Sequence, residues 1–391
     1  MKKTILLAFL FFSFLSFSQN PNLKPEAEIS IITIGPGNSL NDAFGHNAFR
    51  VRTGYIDIVY DYGRYPFNDP NFILNFARGK LKYSQGKEPF YSFLRRYVKH
   101  DRTIKEQVLD LSHEQKRALY SFLIENNKPK NRDYLYDFFY DNCATKMRDV
   151  AEQVLNSNIA YKTTKSYKSE TFRQLINSNL NWNSWGSLGI NIALGSVIDR
   201  PATPREYMFL PEFIFQSFEN ASFKNSEKPL IKSSSTLYKQ KEAFDAPSFF
   251  ISPLFFFSIV SIFIIYRTYT NSKSNKRSIW LDVSLFTLTG IIGVFILLLW
   301  FATDHTATAH NYNLLWAFPL SLLATMQVVK KQPKKWFIGY LKLLIIMLGL
   351  MTMHWIIGIQ RFAPVLIPLL IAFLIRYIYL LRIYKLNETS K

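Results

Sequence analysis

The chain has one cysteine, Cys143, in 391 residues, so no internal disulfide can form. It also lacks a Gly-rich phosphate loop and any internal repeat, which removes P-loop nucleotide binders and solenoids. Acidic residues are scarce: 28 Asp and Glu stand against 47 Lys and Arg, a formal net charge of +19. An excess of that size suggests a nucleic-acid binder, but its placement argues otherwise. Much of it falls between hydrophobic spans, at Arg267 to Arg277 and Lys330 to Lys335, and at the C-terminus. The positive-inside rule accounts for such clusters without a ligand. Nucleic acid is therefore not an expected partner, and the lipid bilayer is.

Hydrophobic residues make up 48% of the chain and aromatics 16%, enough for a sizeable core. Met1 to Ser18 has the form of a signal peptide: Lys2 and Lys3, an apolar run from Ile5 to Phe17, and small residues at Ser16 and Ser18. An uncleaved anchor helix is the alternative, for which the run is short. Export places the chain where paired cysteines oxidise, so a lone cysteine is either buried or kept for its reactivity. Residues 19–216 read as an α+β domain and 217–247 as a polar, Ser- and Lys-rich linker. Over 248–382 the expectation is an all-α five-helix transmembrane bundle, with spans near 248–266, 280–301, 312–329, 336–357 and 363–381. Residues 383–391 form a tail. With the mature N-terminus outside, Lys273, Lys276 and Arg277 fall in the cytoplasm, as do Lys330, Lys331, Lys334, Lys335 and the tail. The loop Phe301 to Asn311, without Lys or Arg, lies outside. This is a multi-pass inner-membrane protein with its N-terminal domain in the periplasm. Lys342 and Arg376, within the spans, are expected to snorkel or to face the bundle.

The run from Glu26 to Ile34 reads as a buried strand closed by Gly35-Pro36-Gly37. Residues 46–52 and 55–61 alternate, and Thr53-Gly54 can turn between them. A two-residue hairpin pairs Arg52 with Tyr55, which sets His46 opposite Asp61 and Arg50 opposite Asp57. Ser112 and Gln115 form a capping box that opens a helix to Asn126. Tyr134 to Phe139 is an aromatic-rich extended run. Asp141 and Asn142 then cap a helix in which Met147, Val150, Ala151 and Leu155 recur at helical spacing. Cys143 sits on its first turn, where the helix dipole and free N–H groups favour the thiolate. The other reading of Cys143 is a small buried hydrophobe.

A thiolate nucleophile needs an imidazole partner, and the imidazole needs an orienting group. His46 on one strand and Asp61 on the next supply both, so Cys143, His46, Asp61 and Asn142 are the candidate catalytic residues. Helix-borne Cys, strand-borne His and a polar third member make a papain-type set in reversed chain order. The stretches 44–50 (FGHNAFR), 141–145 (DNCAT) and 194–203 resemble a bacterial family whose exported part is an Lnb-type N-terminal periplasmic domain. The five-span region, with residues 304–316, resembles the membrane part that accompanies it. More distantly, a strand His followed by Asn-Cys at a helix start is similar to circularly permuted papain-like proteins of the NlpC/P60 and lecithin:retinol acyltransferase type. That resemblance implies a permuted papain-like fold of antiparallel sheet plus helices. It also implies hydrolysis or acyl transfer on amide or ester bonds, here of envelope peptides or lipids. A non-catalytic envelope-binding or scaffolding module coupled to the bundle is the competing reading. In the external loop, Asp304, His305 and His310 are candidate metal ligands, with His354 as a further donor. The alternative there is a solvated polar loop. No other cofactor is expected.

Overall fold

The computed structural model describes residues 23–65, 70–163, 167–244 and 248–389. The expected signal peptide and residues 245–247 lie outside the described residues. The strand β1 (Glu28–Ile34) is rich in Ile, and six of its seven residues are buried, as a strand covered on both faces must be. With β2 (His46–Thr53), β3 (Ile56–Arg64), β4 (Lys82–Pro89), β5 (Ile104–Leu109), β6 (Asp133–Leu135) and β9 (Ile231–Tyr238) it forms a seven-stranded sheet. The order is β6-β4-β3-β2-β1-β5-β9, and every pair is antiparallel. A separate ladder joins β7 (Ile159–Ala160) to β8 (Ser222–Phe223). The domain's helices are α1 (Phe72–Ala77), α2 (Phe90–Lys99), α3 (His113–Asn126), α4 (Cys143–Val154), α5 (Phe172–Asn177), α6 (Trp185–Ala193) and α7 (Pro211–Glu219). The expected box at Ser112 and Gln115 caps α3.

Alternation along the strands sorts their side chains into two layers. Ile29, Ile31, Phe49, Val51 and Tyr60 pack against Leu123 of α3, Met147 and Val150 of α4, and Phe218 of α7. On the opposite face Ile32, Ile34, Ala48 and Val59 meet Phe90 and Phe93 of α2.

Two expectations for this domain need correction. The hairpin turns at Gly54-Tyr55, pairing Thr53 with Ile56, so Ala48 rather than His46 lies opposite Asp61. Gly54 takes φ +50, which glycine adopts more readily than Thr53 would. The shift is two residues, so every side chain keeps its face. Arg50 still reaches Asp57 along the diagonal, at 2.7 Å. The polar stretch 217–247 is largely structured: α7 runs to Glu219, and β9 pairs with β5 from Ile231↔Leu109 to Tyr238↔Ile104. Its Ser and Lys residues are polar because an edge strand, held through its backbone, leaves them in solvent.

In the membrane region α8 (Pro253–Ser274), α9 (Ile279–Phe301), α11 (Lys335–Ile357) and α12 (Ile367–Thr389) form the bundle. Four helical segments, 253–274, 279–301, 335–357 and 364–385, are long and apolar enough to cross a bilayer among the described residues. The third expected span is not one helix. It is a 3-10 turn, Tyr312–Leu315, followed by the eight-residue α10 (Ser321–Val328), and Pro319 between them has no N–H to continue a ladder. The segment nevertheless follows α9 closely: a Cβ on Gly293 would come within 2.2 Å of the Ala317 carbonyl, and Arg277 donates to the Val328 carbonyl. Arg376 faces inward and bonds Asp282 at 2.7 Å and Asn271 at 2.9 Å, whereas Lys342 is exposed.

The domain is docked onto the bundle by a buried polar seam. Asn311 donates to the carbonyls of Ile192 and Ala193, and Asn313 to that of Asn191. Asp199, paired with Arg173 at 2.9 Å, accepts from the Arg361 N–H. Asn313 and Gln360 are wholly buried.

Candidate functional site

Asn142 fixes the start of α4. Its backbone is extended, and its Oδ1 accepts from the N–H groups of Ala144 and Thr145 at 2.8 and 2.9 Å. Thr145 returns the bond by accepting from Asn142 N–H, closing a capping box. Asn142 Nδ2 donates to the carbonyls of Phe138 and Phe209. Asp137, one turn earlier, accepts from Phe139 and Tyr140 N–H with one carboxylate oxygen and from the Thr306 hydroxyl with the other. The cysteine-bearing helix terminus is thereby tied to the external membrane loop.

His46 opens β2 directly after Gly45, whose φ of +83 and closeness to the Ile34 carbonyl (2.6 Å from a built Cβ) exclude a larger residue. Its Nε2 lies 3.2 Å from Asp61 Oδ2. The other oxygen of the buried Asp61 accepts from Arg64 Nε at 2.7 Å. Cys143 is half-buried as a residue, and its thiol interacts with the His46 ring and the Asn47 N–H. At Gly63 (φ +97) the end of β3 comes beside Cys143, 3.9 Å from its Cβ to a built one.

Burial alone would push the Cys143 thiol up, but the His46 charge and the Asn47 N–H outweigh it and hold the thiol below its ordinary value. Burial would likewise lower the His46 imidazole. Tyr97, Cys143 and Asp61 outweigh that and raise it well above the ordinary histidine range. For Asp61 burial raises the carboxyl, and His46 with Arg64 brings it below the usual range. The shifts at sulfur and imidazole run in opposite directions, each caused in part by the other group, and the Asp61 carboxyl adds to the rise at His46.

Of the residues expected at the site, Cys143, His46 and Asp61 lie together, while the Asn142 side chain is spent on the start of α4. The sequence reading misses Tyr97 and Arg64, as well as the tyrosines around the sulfur. Tyr136 is beside Cys143, and burial followed by the Cys143 charge drives its phenol well up. From it an aromatic row continues through Tyr83 (4.2 Å), Tyr65 (5.1 Å), Phe72 (5.6 Å) and Phe76 (6.4 Å). The alternation of Tyr134 and Tyr136 is the one sequence signal that could have found this wall. A separate cavity of about 440 Å³, lined in part by Tyr161, Tyr167, Arg205 and Met208, includes none of the four.

The three metal candidates are each otherwise engaged. Asp304 pairs with Lys80 at 3.6 Å, His305 Nε2 lies 3.0 Å from the Phe76 carbonyl, and His310 packs on Trp300. His354 packs on Tyr312. Among the described residues no three His, Cys, Asp or Glu side chains are grouped to hold a metal ion.

Residues 20–178 match the family model of the Lnb N-terminal periplasmic domain, and residues 245–387 that of the Lnb transmembrane domain. No curated protein and no solved structure matches the chain. The matched regions take in strands β1 to β6, the cysteine-bearing helix and the bundle, and the chain is a membrane protein that carries an Lnb N-terminal periplasmic domain followed by an Lnb transmembrane domain.

Proposed function

We propose that Cys143, His46 and Asp61 form a cysteine-nucleophile site, hydrolase or acyltransferase, acting on amide or ester bonds of envelope peptides or lipids. The observation that carries this is the convergence of a thiol at a helix N-terminus with an imidazole that a buried carboxylate orients. The Cys143 thiolate attacks the carbonyl carbon, forming a C–S bond. The C–N or C–O bond then breaks, and the leaving amine or alcohol takes its proton from the His46 imidazolium. A thioester and a neutral imidazole remain. His46 next removes a proton from water or an acceptor amine, which attacks the thioester; the C–S bond breaks, the acyl group leaves on the acceptor, and the thiolate and imidazolium are restored. Asp61 holds the ring and stabilises its charge, while Asn142 acts through the helix it caps as a positioning residue. A permuted papain-like arrangement is consistent with an antiparallel sheet carrying the histidine and a helix carrying the cysteine.

The same reading places five crossings in the inner membrane with the N-terminal domain outside. The path of 312–328 along α9, from beside Gly293 to Arg277, supports a fifth crossing made by a broken helix. The tested outcome is labelling of Cys143 in intact membranes by an electrophilic probe, with loss of the label in Cys143→Ser. Labelling only after denaturant would leave the second reading, a binding module. The buried polar seam between domain and bundle favours that reading, since it would carry a binding event into the membrane.

A further inference from the structure

Helix α1 has no buried residue. Ile73 is 80% exposed, and Leu74 and Phe76 are each 54% exposed, so three large apolar side chains on six residues face outward. An apolar face of this density marks an interaction surface. What covers it follows from where the helix is tied. The Arg78 carbonyl accepts from Asp304 N–H at 2.9 Å, the Phe76 carbonyl lies 3.0 Å from His305 Nε2, and Lys80 pairs with Asp304. The Gly79 backbone is so close that a Cβ would stand 2.9 Å from His305 N. Asp304 and His305 follow directly on α9, which ends at Phe301, and the Thr308 hydroxyl ties the same loop back to the Leu299 carbonyl. The helix is therefore pinned beside the outer end of a membrane-crossing helix.

Large exposed side chains run along the spans and include their outer ends. Phe301 is 72% exposed at the end of α9. At the start of α8, Phe250 is 73% exposed, and Trp185 (51%) donates its indole N–H to the Ile251 carbonyl. Trp concentrates at the membrane–water boundary because its ring is apolar while its N–H is a polar handle, which suits Trp185; the two phenylalanines add apolar area only. Exposed Arg78 and Lys80 beside α1 suit a layer of phosphate headgroups.

We infer that α1 is a membrane-contacting element of the periplasmic domain: Ile73, Leu74 and Phe76 insert into the outer interfacial layer of the bilayer that the chain itself spans. The occupant of this face is lipid. The bilayer also supplies the partner for an apolar face that water would otherwise cover, without any further protein. This surface is independent of the chemistry at Cys143.

The test uses the full chain in lipid nanodiscs, in a Cys143→Ser background. A fluorophore is placed at Ile73→Cys, at Leu74→Cys and, for comparison, at Tyr55→Cys on the β2–β3 turn. Quenching by phospholipids that carry a nitroxide near the headgroup or upper acyl chain is measured beside quenching by iodide. Lipid quenching at least several-fold stronger at 73 and 74 than at 55, with weaker iodide quenching, is the expected result. Iodide quenching at 73 and 74 equal to that at 55 would overturn the inference. So would protection from both quenchers, which would assign the face to a second copy or another protein. All three labelled positions are exposed, and a gel-filtration profile unchanged from the parent confirms that each variant is folded.

Discussion

Asn142 uses both ends of its side-chain amide in bonds that fix the first turn of α4. Asn142→Ala should therefore cost about 2 kcal/mol, the upper part of the range for a lost N-cap, read as a fall in thermal stability of the purified full chain in detergent. A change within error would mean that the cap is dispensable. Asp61 carries a pH signature. Its carboxyl is depressed in the fold, so its stabilisation is fully present above the unfolded value of about 3.9 and is lost as pH falls through the folded value. The stability gap between wild type and Asp61→Asn should stay level from pH 6 to 7 and close below pH 4; a gap that widens on acidification would contradict the ion-paired carboxylate. Cys143, His46 and Asp61 were legible as residues because helix capping, strand parity and a lone cysteine are local signals. Tyr97 and Arg64 were not. Tyr97 reaches His46 only because α2 packs on that sheet face, and Arg64 reaches Asp61 across the irregularity between β3 and β4.

At the scale of elements, Arg50 joins three of them. It bonds Asp57 on β3 and Glu106 on β5, and its guanidinium lies 3.4 Å from the centre of the Phe90 ring on α2. Asp57 is 40% exposed, so Asp57→Ala should cost under about 1 kcal/mol. Glu106→Ala leaves a buried guanidinium short of a partner and should cost about 3 kcal/mol or more. The reverse order in thermal unfolding would show that the hairpin pair, not the buried pair, holds the strands. Glycines make a second contrast. Gly293→Ala drives a Cβ into the Ala317 carbonyl and should cost about 1–3 kcal/mol. Gly349→Ala meets nothing within 4 Å and should be neutral or gain up to about 1 kcal/mol. Alternation and capping made β1, β2, β3 and α3 readable in the sequence. The edge strand β9 was hidden because its partner, β5, is distant in the chain (Ile231 pairs with Leu109), and its side chains obey solvent. The third span hid its break because hydropathy averages across Pro319.

For the molecule as a whole, loop charge and contacts agree on sidedness. The Phe301 to Asn311 loop carries no Lys or Arg and packs on the periplasmic domain, while Arg277 and Lys330 meet at the other end of the bundle. In a Cys143→Ser background, a membrane-impermeant thiol reagent applied to intact cells should modify Thr306→Cys and spare Ser274→Cys. Modification of Ser274→Cys would reverse or remove a crossing. The bond from Thr306 to Asp137 also ties the segment before the cysteine-bearing helix to the loop that follows α9.

The central claim is that Cys143 is a thiolate paired with the His46 imidazolium, and the rate of its alkylation against pH tests it most directly. The sample is the full chain in detergent and the reagent iodoacetamide; the Cys143 thiol is drawn down and the His46 imidazole up, each in part by the other. The rate should then stay high at pH 6–7, well below the free thiol value of about 8.5. In His46→Ala the rate at that pH should fall, and its rise should move toward the alkaline side, since only the helix terminus remains to favour the anion. A wild-type profile that rises only near pH 8.5 and is unchanged by His46→Ala would contradict the account, as would a thiol that reacts only after denaturant.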